Sequence, residues 1–144
     1  MPLESTDKPA IKLHADTGRL SNELKIMALT KDKKYIPIML AHLDDETESI
    51  DMMKEIIGMA ESFDACDYID AVLNSIPLLR ESAPEWLENI IYRITNSKKH
   101  SDFFKKQLPL HKDKENIENY LQLFLAANPE KEKIINCIVN KQHF

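Results

Sequence analysis

Thirteen carboxylates fall within residues 35–93: Asp44, Asp45, Glu46, Glu48, Asp51, Glu55, Glu61, Asp64, Asp67, Asp70, Glu81, Glu85 and Glu88. Lys54, Arg80 and Arg93 are the only basic residues among them, which leaves a net charge of −10. Two kinds of chemistry suit such a segment. Paired carboxylates divide the work of a general acid and a general base. A continuous acidic face instead attracts a basic partner through its long-range field. With this density some carboxylates come close by chance, so closeness alone points only weakly to catalysis. The flanks carry +2 over residues 1–34 and +3 over residues 94–144, so the whole-chain charge of −5 conceals an acidic centre between basic ends.

No other chemistry competes with this segment. His14, His42, His100, His111 and His143 are scattered, and none has a histidine three or four residues away, so the helical zinc pair is absent. Only two glycines occur, and no glycine-rich phosphate loop or nucleophile elbow is present. Cys66 and Cys137 are far apart and lack CxxC spacing. They read as two buried free thiols of a reducing cytoplasm rather than a disulfide or metal site. We expect no catalytic residue, no metal and no cofactor. A pI near 5.5 argues against nucleic acid as a partner. No apolar run reaches bilayer length and the first ten residues are polar, so neither a membrane segment nor a signal peptide is expected.

The elements that must position the carboxylates are helices. At 144 residues the chain matches one ordinary domain, 43% hydrophobic and 30% charged. Scarce glycine disfavours hairpins, and abundant Leu, Ile, Met, Glu and Lys favour helix. The expectation is a single all-α domain over residues 1–144, with residues 1–18 a frayed arm. It comprises about seven antiparallel-packed helices, as a HEAT-like stack or a compact bundle. Leu20, Leu24, Met27 and Ala28 recur at helical spacing, and Lys31, Lys33 and Lys34 suit that helix's negative end. Asp44-Asp45-Glu46 reads as the start of a helix carrying Ile50, Met53 and Ile57, central and packed on two sides, with Asp44 or Asp45 as its cap. The next helix runs from Asp64 to Arg80, with a kink or break expected at Pro77. Ser82, Pro84 and Glu85 read as a capping box opening the helix of Trp86, Ile90 and Ile94. Arg93 is expected to pair with Glu81, Glu85 or Glu88. Shorter helices follow over residues 98–108, 113–127 and 129–139.

On this reading Asp44, Glu48, Asp51 and Glu55 form one helical stripe, and Asp67 and Asp70 a second. Like charges four residues apart cost about 0.2–0.5 kcal/mol per pair. A chain that accepts this repulsion along two helices has a basic partner in view.

Residues 35–97 resemble a family of bacterial immunity proteins, which protect cells from polymorphic toxins, including those of contact-dependent growth inhibition. The resemblance rests on Leu43-Asp44-Asp45-Glu46-Thr47-Glu48, on Met53 through Glu61-Ser62-Phe63-Asp64, and on Tyr68 with Leu73-Asn74-Ser75-Ile76-Pro77. It closes with Ala83-Pro84-Glu85-Trp86 and Arg93-Ile94-Thr95-Asn96-Ser97. The chain departs from the family's APxWa…RILNS-like pattern at Leu87 and Thr95. The resemblance implies a non-enzymatic cytoplasmic inhibitor whose partner is the C-terminal domain of a cognate toxin, with no small-molecule substrate and no membrane partner. Joined to the charge pattern, it places the toxin contact on Asp44, Asp45, Glu46, Glu48, Asp51, Glu55, Asp64, Asp67, Tyr68 and Asp70. That face is expected to block the basic cleft of a nuclease, an RNase foremost. Tyr68 and Trp86 are the aromatic anchors in view, and Trp86 also fits a core position. The competing readings are a helical adaptor for a protein or peptide partner, and a metal-dependent hydrolase built on clustered carboxylates.

Overall fold

The computed structural model describes the backbone of residues 9–139 and the side chains of residues 18–139. The described residues form α-helices and short 3-10 turns, with no strand among them. In order they are α1 (Pro9–Thr30), α2 (Tyr35–Leu40), α3 (Ile50–Glu61), α4 (Ala65–Ser82), α5 (Pro84–Thr95), α6 (Lys98–Gln107), α7 (Lys114–Ala127) and α8 (Glu132–Val139). Turns of 3-10 helix at Leu108–Leu110 and Pro129–Lys131 lead into α7 and α8. The all-α expectation holds, with eight α-helices among the described residues.

Over residues 9–18, where an arm is expected, the backbone is helical and continuous with the rest of α1. Once a helix is nucleated, each further residue adds one hydrogen bond for one residue fixed, so an element extends beyond its apolar period. The rest of the expected arm, residues 1–8, lies outside the described residues. α1 ends where Lys31 takes a left-handed conformation, φ 59°. Tertiary contacts hold that non-glycine residue, since its ammonium reaches the Ser62 carbonyl at 3.4 Å and lies 5.6 Å above the Phe63 ring.

α4 is the hub. Tyr68, Ile69, Val72, Leu73, Ile76 and Leu79 are all buried along it, and it touches α2, α3, α5 and α6. α3 is packed on two sides as expected, by α1 and by α2 with α4. The principal contacts join helices that are adjacent or next but one in the chain, so the core grows as a progressive stack. Pro77 does not break α4. A helix-interior proline removes one donor, and the packed neighbours of α4 keep the helix continuous through it.

Very short joints connect the central helices. Ala83 alone links α4 to α5, with its side chain fully buried. Asn96 and Ser97 link α5 to α6, and the Ser97 hydroxyl accepts from the His100 N–H at 3.2 Å as an N-cap. Both thiols are free but exposed, not buried as expected. Cys66 Sγ accepts from Gln107 Nε2 at 3.1 Å and Cys137 Sγ from Lys105 Nζ at 3.3 Å. Polar partners at the surface thus replace the apolar setting that composition alone suggested. No helix among the described residues is long and apolar enough to cross a membrane.

Because the stack shares one continuous core, a void in α5 must be felt throughout. Ile90 is fully buried. We expect Ile90→Ala to lower unfolding free energy by about 2–5 kcal/mol in a single cooperative urea transition, read by far-UV circular dichroism.

Candidate partner-binding site

Residues 41–49 join α2 to α3, and the acidic triplet sits in this loop rather than on a helix. Asp44 Oδ1 accepts from the Glu46 N–H at 2.9 Å, the local turn that Asp side chains favour over helix. Thr47 is buried, and its hydroxyl accepts from the Ser49 N–H at 3.0 Å. α3 therefore begins at Ile50, after Ser49, and neither Asp44 nor Asp45 caps it. Of the expected stripe only Asp51 and Glu55 lie on α3.

Asp45 caps a different helix. Its two carboxylate oxygens accept from the N–H of Glu85 at 2.8 Å and of Trp86 at 3.1 Å, across 40 residues of sequence. These are the second and third residues of α5, whose first, Pro84, has no N–H to offer. The carboxylate thus does the work of an N-cap side chain, and its charge suits the positive end of the helix. The expected capping box at Ser82 does not form. Ser82 is the last residue of α4 and its hydroxyl donates to the Leu78 carbonyl at 3.1 Å, while buried Ala83 holds the N-cap position.

Anchors and free acids alternate in the loop as a result. Asp45 and Thr47 turn inward, while Glu46 and Glu48 are exposed, followed by exposed Asp51 on α3. Glu55 is half-buried. It accepts from the Ser21 hydroxyl at 3.2 Å and pairs with Lys25 at 3.5 Å, fastening α1 to α3. Asp64 is the N-cap of α4, accepting from Cys66 N–H at 3.1 Å and Asp67 N–H at 3.3 Å. Tyr68 does not reach the surface at all. It is fully buried, its ring 5.1 Å from that of His100, and burial pushes its phenol above the ordinary value. The helical period of α4 places it on the core face, which removes it as an anchor. Trp86 is partly buried against the core.

Five of the expected acids line two grooves that share no residue. Glu48, Asp51 and Glu55 border an open groove of about 550 Å³ with Ser21, Ile50 and Met52. Asp67 and Asp70 border one of about 380 Å³ with Cys66, Gln107, Leu110 and His111. The His111 ring is fixed at both nitrogens: Nε2 faces the Asn74 amide oxygen at 2.6 Å and Nδ1 accepts from the Asp113 N–H at 3.0 Å. Residues from α1, α6 and the turn after α6 complete these walls, and nothing in their local spacing marks them for that place. No three His, Cys, Asp or Glu among the described residues converge on a point where a metal ion would sit.

Arg93 pairs with none of the glutamates expected for it. Two of its N–H groups meet the Glu61 carboxylate at 2.7 Å each, a bidentate bridge from α5 to the end of α3. That bonding holds the guanidinium charge above its ordinary range. Glu88 instead accepts from the Asn128 amide at 2.9 Å. What the surface can do chemically is present fixed negative charge and shallow grooves to another molecule.

A family model described as Immunity protein 30 matches residues 10–104. Neither the curated proteins nor the solved structures include a match.

If Asp45 acts as a remote cap, its geometry matters more than its charge. Asp45→Ala is expected to cost about 0.5–2 kcal/mol, Asp45→Asn a few tenths at most, and Glu46→Gln within about 0.5 kcal/mol of no change. Urea unfolding followed by the fluorescence of Trp86, the sole tryptophan, checks the order.

Proposed function

The chain belongs to the Immunity protein 30 family, and on that premise we propose that it neutralises a cognate toxin by stoichiometric binding, without catalysis. The proposed contact is the acidic surface formed by Asp44, Glu46, Glu48 and Asp51, continued by Asp67 and Asp70. Its target is the basic, nucleic-acid-binding cleft of a nuclease toxin's C-terminal domain, an RNase foremost. Carboxylates there occupy the positions that substrate phosphates need, and the facing charges steer the encounter. Asp45, Glu55 and Asp64 serve as positioning residues. The observation that carries this reading is the Asp45 clamp on α5, because it holds Glu46 and Glu48 outward before any partner arrives. Preorganised loops lose less conformational entropy on binding. Two exposed free thiols fit a reducing compartment, which supports action in the bacterial cytoplasm against an incoming toxin, such as one delivered by contact-dependent growth inhibition.

A second reading, a helical adaptor that takes a partner segment between helices, draws on the groove beside α4. There Leu110 is 85% exposed at the rim. Substitution at Leu110 separates the two, since it weakens an adaptor and leaves a charge-steered inhibitor nearly unchanged.

The direct test uses the C-terminal domain of the cognate toxin, sought first in the product of the gene immediately upstream. Stopped-flow association is compared between the native chain and a Glu46→Gln, Glu48→Gln, Asp51→Asn variant at low and high salt. We expect the variant to associate about tenfold or more slowly at low salt, with a flattened salt dependence. Unchanged rates and salt dependence would discard the acidic-face mechanism.

A further inference from the structure

Four helices meet around a small set of ionisable groups, two of them buried rings and two an ion pair at the surface. Tyr68 of α4 is fully buried and His100 of α6 is 8% exposed. Their rings lie 5.1 Å apart, tilted by 53°. The Tyr68 hydroxyl and His100 Nε2 are both buried, and neither has a hydrogen-bond partner among the described residues. Buried polar groups in native interiors are nearly always paired, so two such groups in adjacent rings need a physical reason. A neutral imidazole tolerates Nε2 as a bare lone pair. Protonation turns that nitrogen into a charged donor with no acceptor within hydrogen-bond reach among the described residues.

The surrounding charges oppose that proton. Glu61, at the end of α3, is the anion near His100, and Arg93 of α5 already engages both of its oxygens at 2.7 Å. Arg93 itself and Lys99, the preceding residue of α6, repel an imidazolium. On the side of α6 that meets α8, Lys105 is drawn to Cys137 at 3.3 Å. His100 also occupies the third position of α6, with its N–H on the Ser97 hydroxyl, where the helix dipole disfavours a cation. Burial above all, with Lys99 and Arg93 added, holds His100 below its ordinary range against the pull of Glu61.

We propose that Tyr68, His100, Glu61 and Arg93 form an acid-sensitive joint, in which protonation of His100 unseats the first turn of α6 from α4. The Glu61–Arg93 bridge meanwhile keeps α3 and α5 together. α4 makes its most extensive helix contact with α6, so this one proton governs how firmly α6 sits on α4. An unfolded chain binds the proton near pH 6.5 and the folded chain only below that. The joint is therefore fully seated above about pH 6.5 and loses stability as the pH falls below it.

The test combines two measurements on the full chain. An NMR titration follows the His100 ring from about pH 8 to pH 5. Amide exchange is compared, at matched pH, between the native chain and His100→Gln and His100→Phe. The expected result is a His100 midpoint below about 6.5, with a several-fold loss of α6 protection in acid that the variants lack. A midpoint at or above that value overturns the proposal. So does loss of protection spread evenly over all helices, or acid loosening retained in the variants. Should neither variant fold, the ring titration and α6 exchange of the native chain decide alone.

Discussion

The carboxylate of Asp45 closes the open end of α5, and the architecture around it depends on that closure. The first turn of every helix leaves backbone N–H groups without partners, and α5 begins one residue after α4 ends, with no room for a cap of its own. Ala83 holds the N-cap position, Pro84 follows it, and the donors of Glu85 and Trp86 face outward. Supplying the acceptor from a distant loop solves two problems at once. α5 gains its missing bonds, and a loop dense in like charge gains an attachment strong enough to resist its own repulsion. Charge-assisted bonds of this kind are about twice as strong as neutral ones.

The same economy recurs through the stack. Glu61, at the end of α3, takes the two donors of Arg93 from α5, and Glu55 takes Ser21 and Lys25 from α1. Asp64 caps its own helix. Acidic residues are thus used as fasteners between layers of a core that is otherwise apolar from Leu24 to Val139. Among the acids left over, Glu46, Glu48, Asp51, Asp67 and Asp70 fasten nothing among the described residues. For a chain of the Immunity protein 30 family they are the natural place to look for a partner. Tyr68 shows the converse case: an aromatic side chain that the sequence places in an acidic region, yet buried beneath it against His100.

Much of this was readable from residue types and spacing. Scarce glycine and recurring apolar positions determined an all-α chain, and the family resemblance came from motifs that the matched family covers. Helix period alone located most helices to within a few residues, because an amphipathic helix writes its buried face at short range. The start of α3 was misplaced because an acidic triplet suits a helix N-terminus and an Asx turn equally well, and only the neighbouring helix decides between them.

What the tertiary structure decided was the role of each charge. Spacing along the chain cannot show that Asp45 lies against Glu85 and Trp86, or that Glu61 is the partner of Arg93, since these pairs are 32 to 41 residues apart. Nor can it show that Cys66 is exposed or Tyr68 enclosed, because burial depends on which helix covers which face. By itself the sequence determined that the chain would be helical and would concentrate negative charge at its centre, both consequences of local composition and period. Which carboxylates hold the fold and which remain for a partner was decided only when the helices came together, because a charge is engaged or free according to the donors that packing brings within reach.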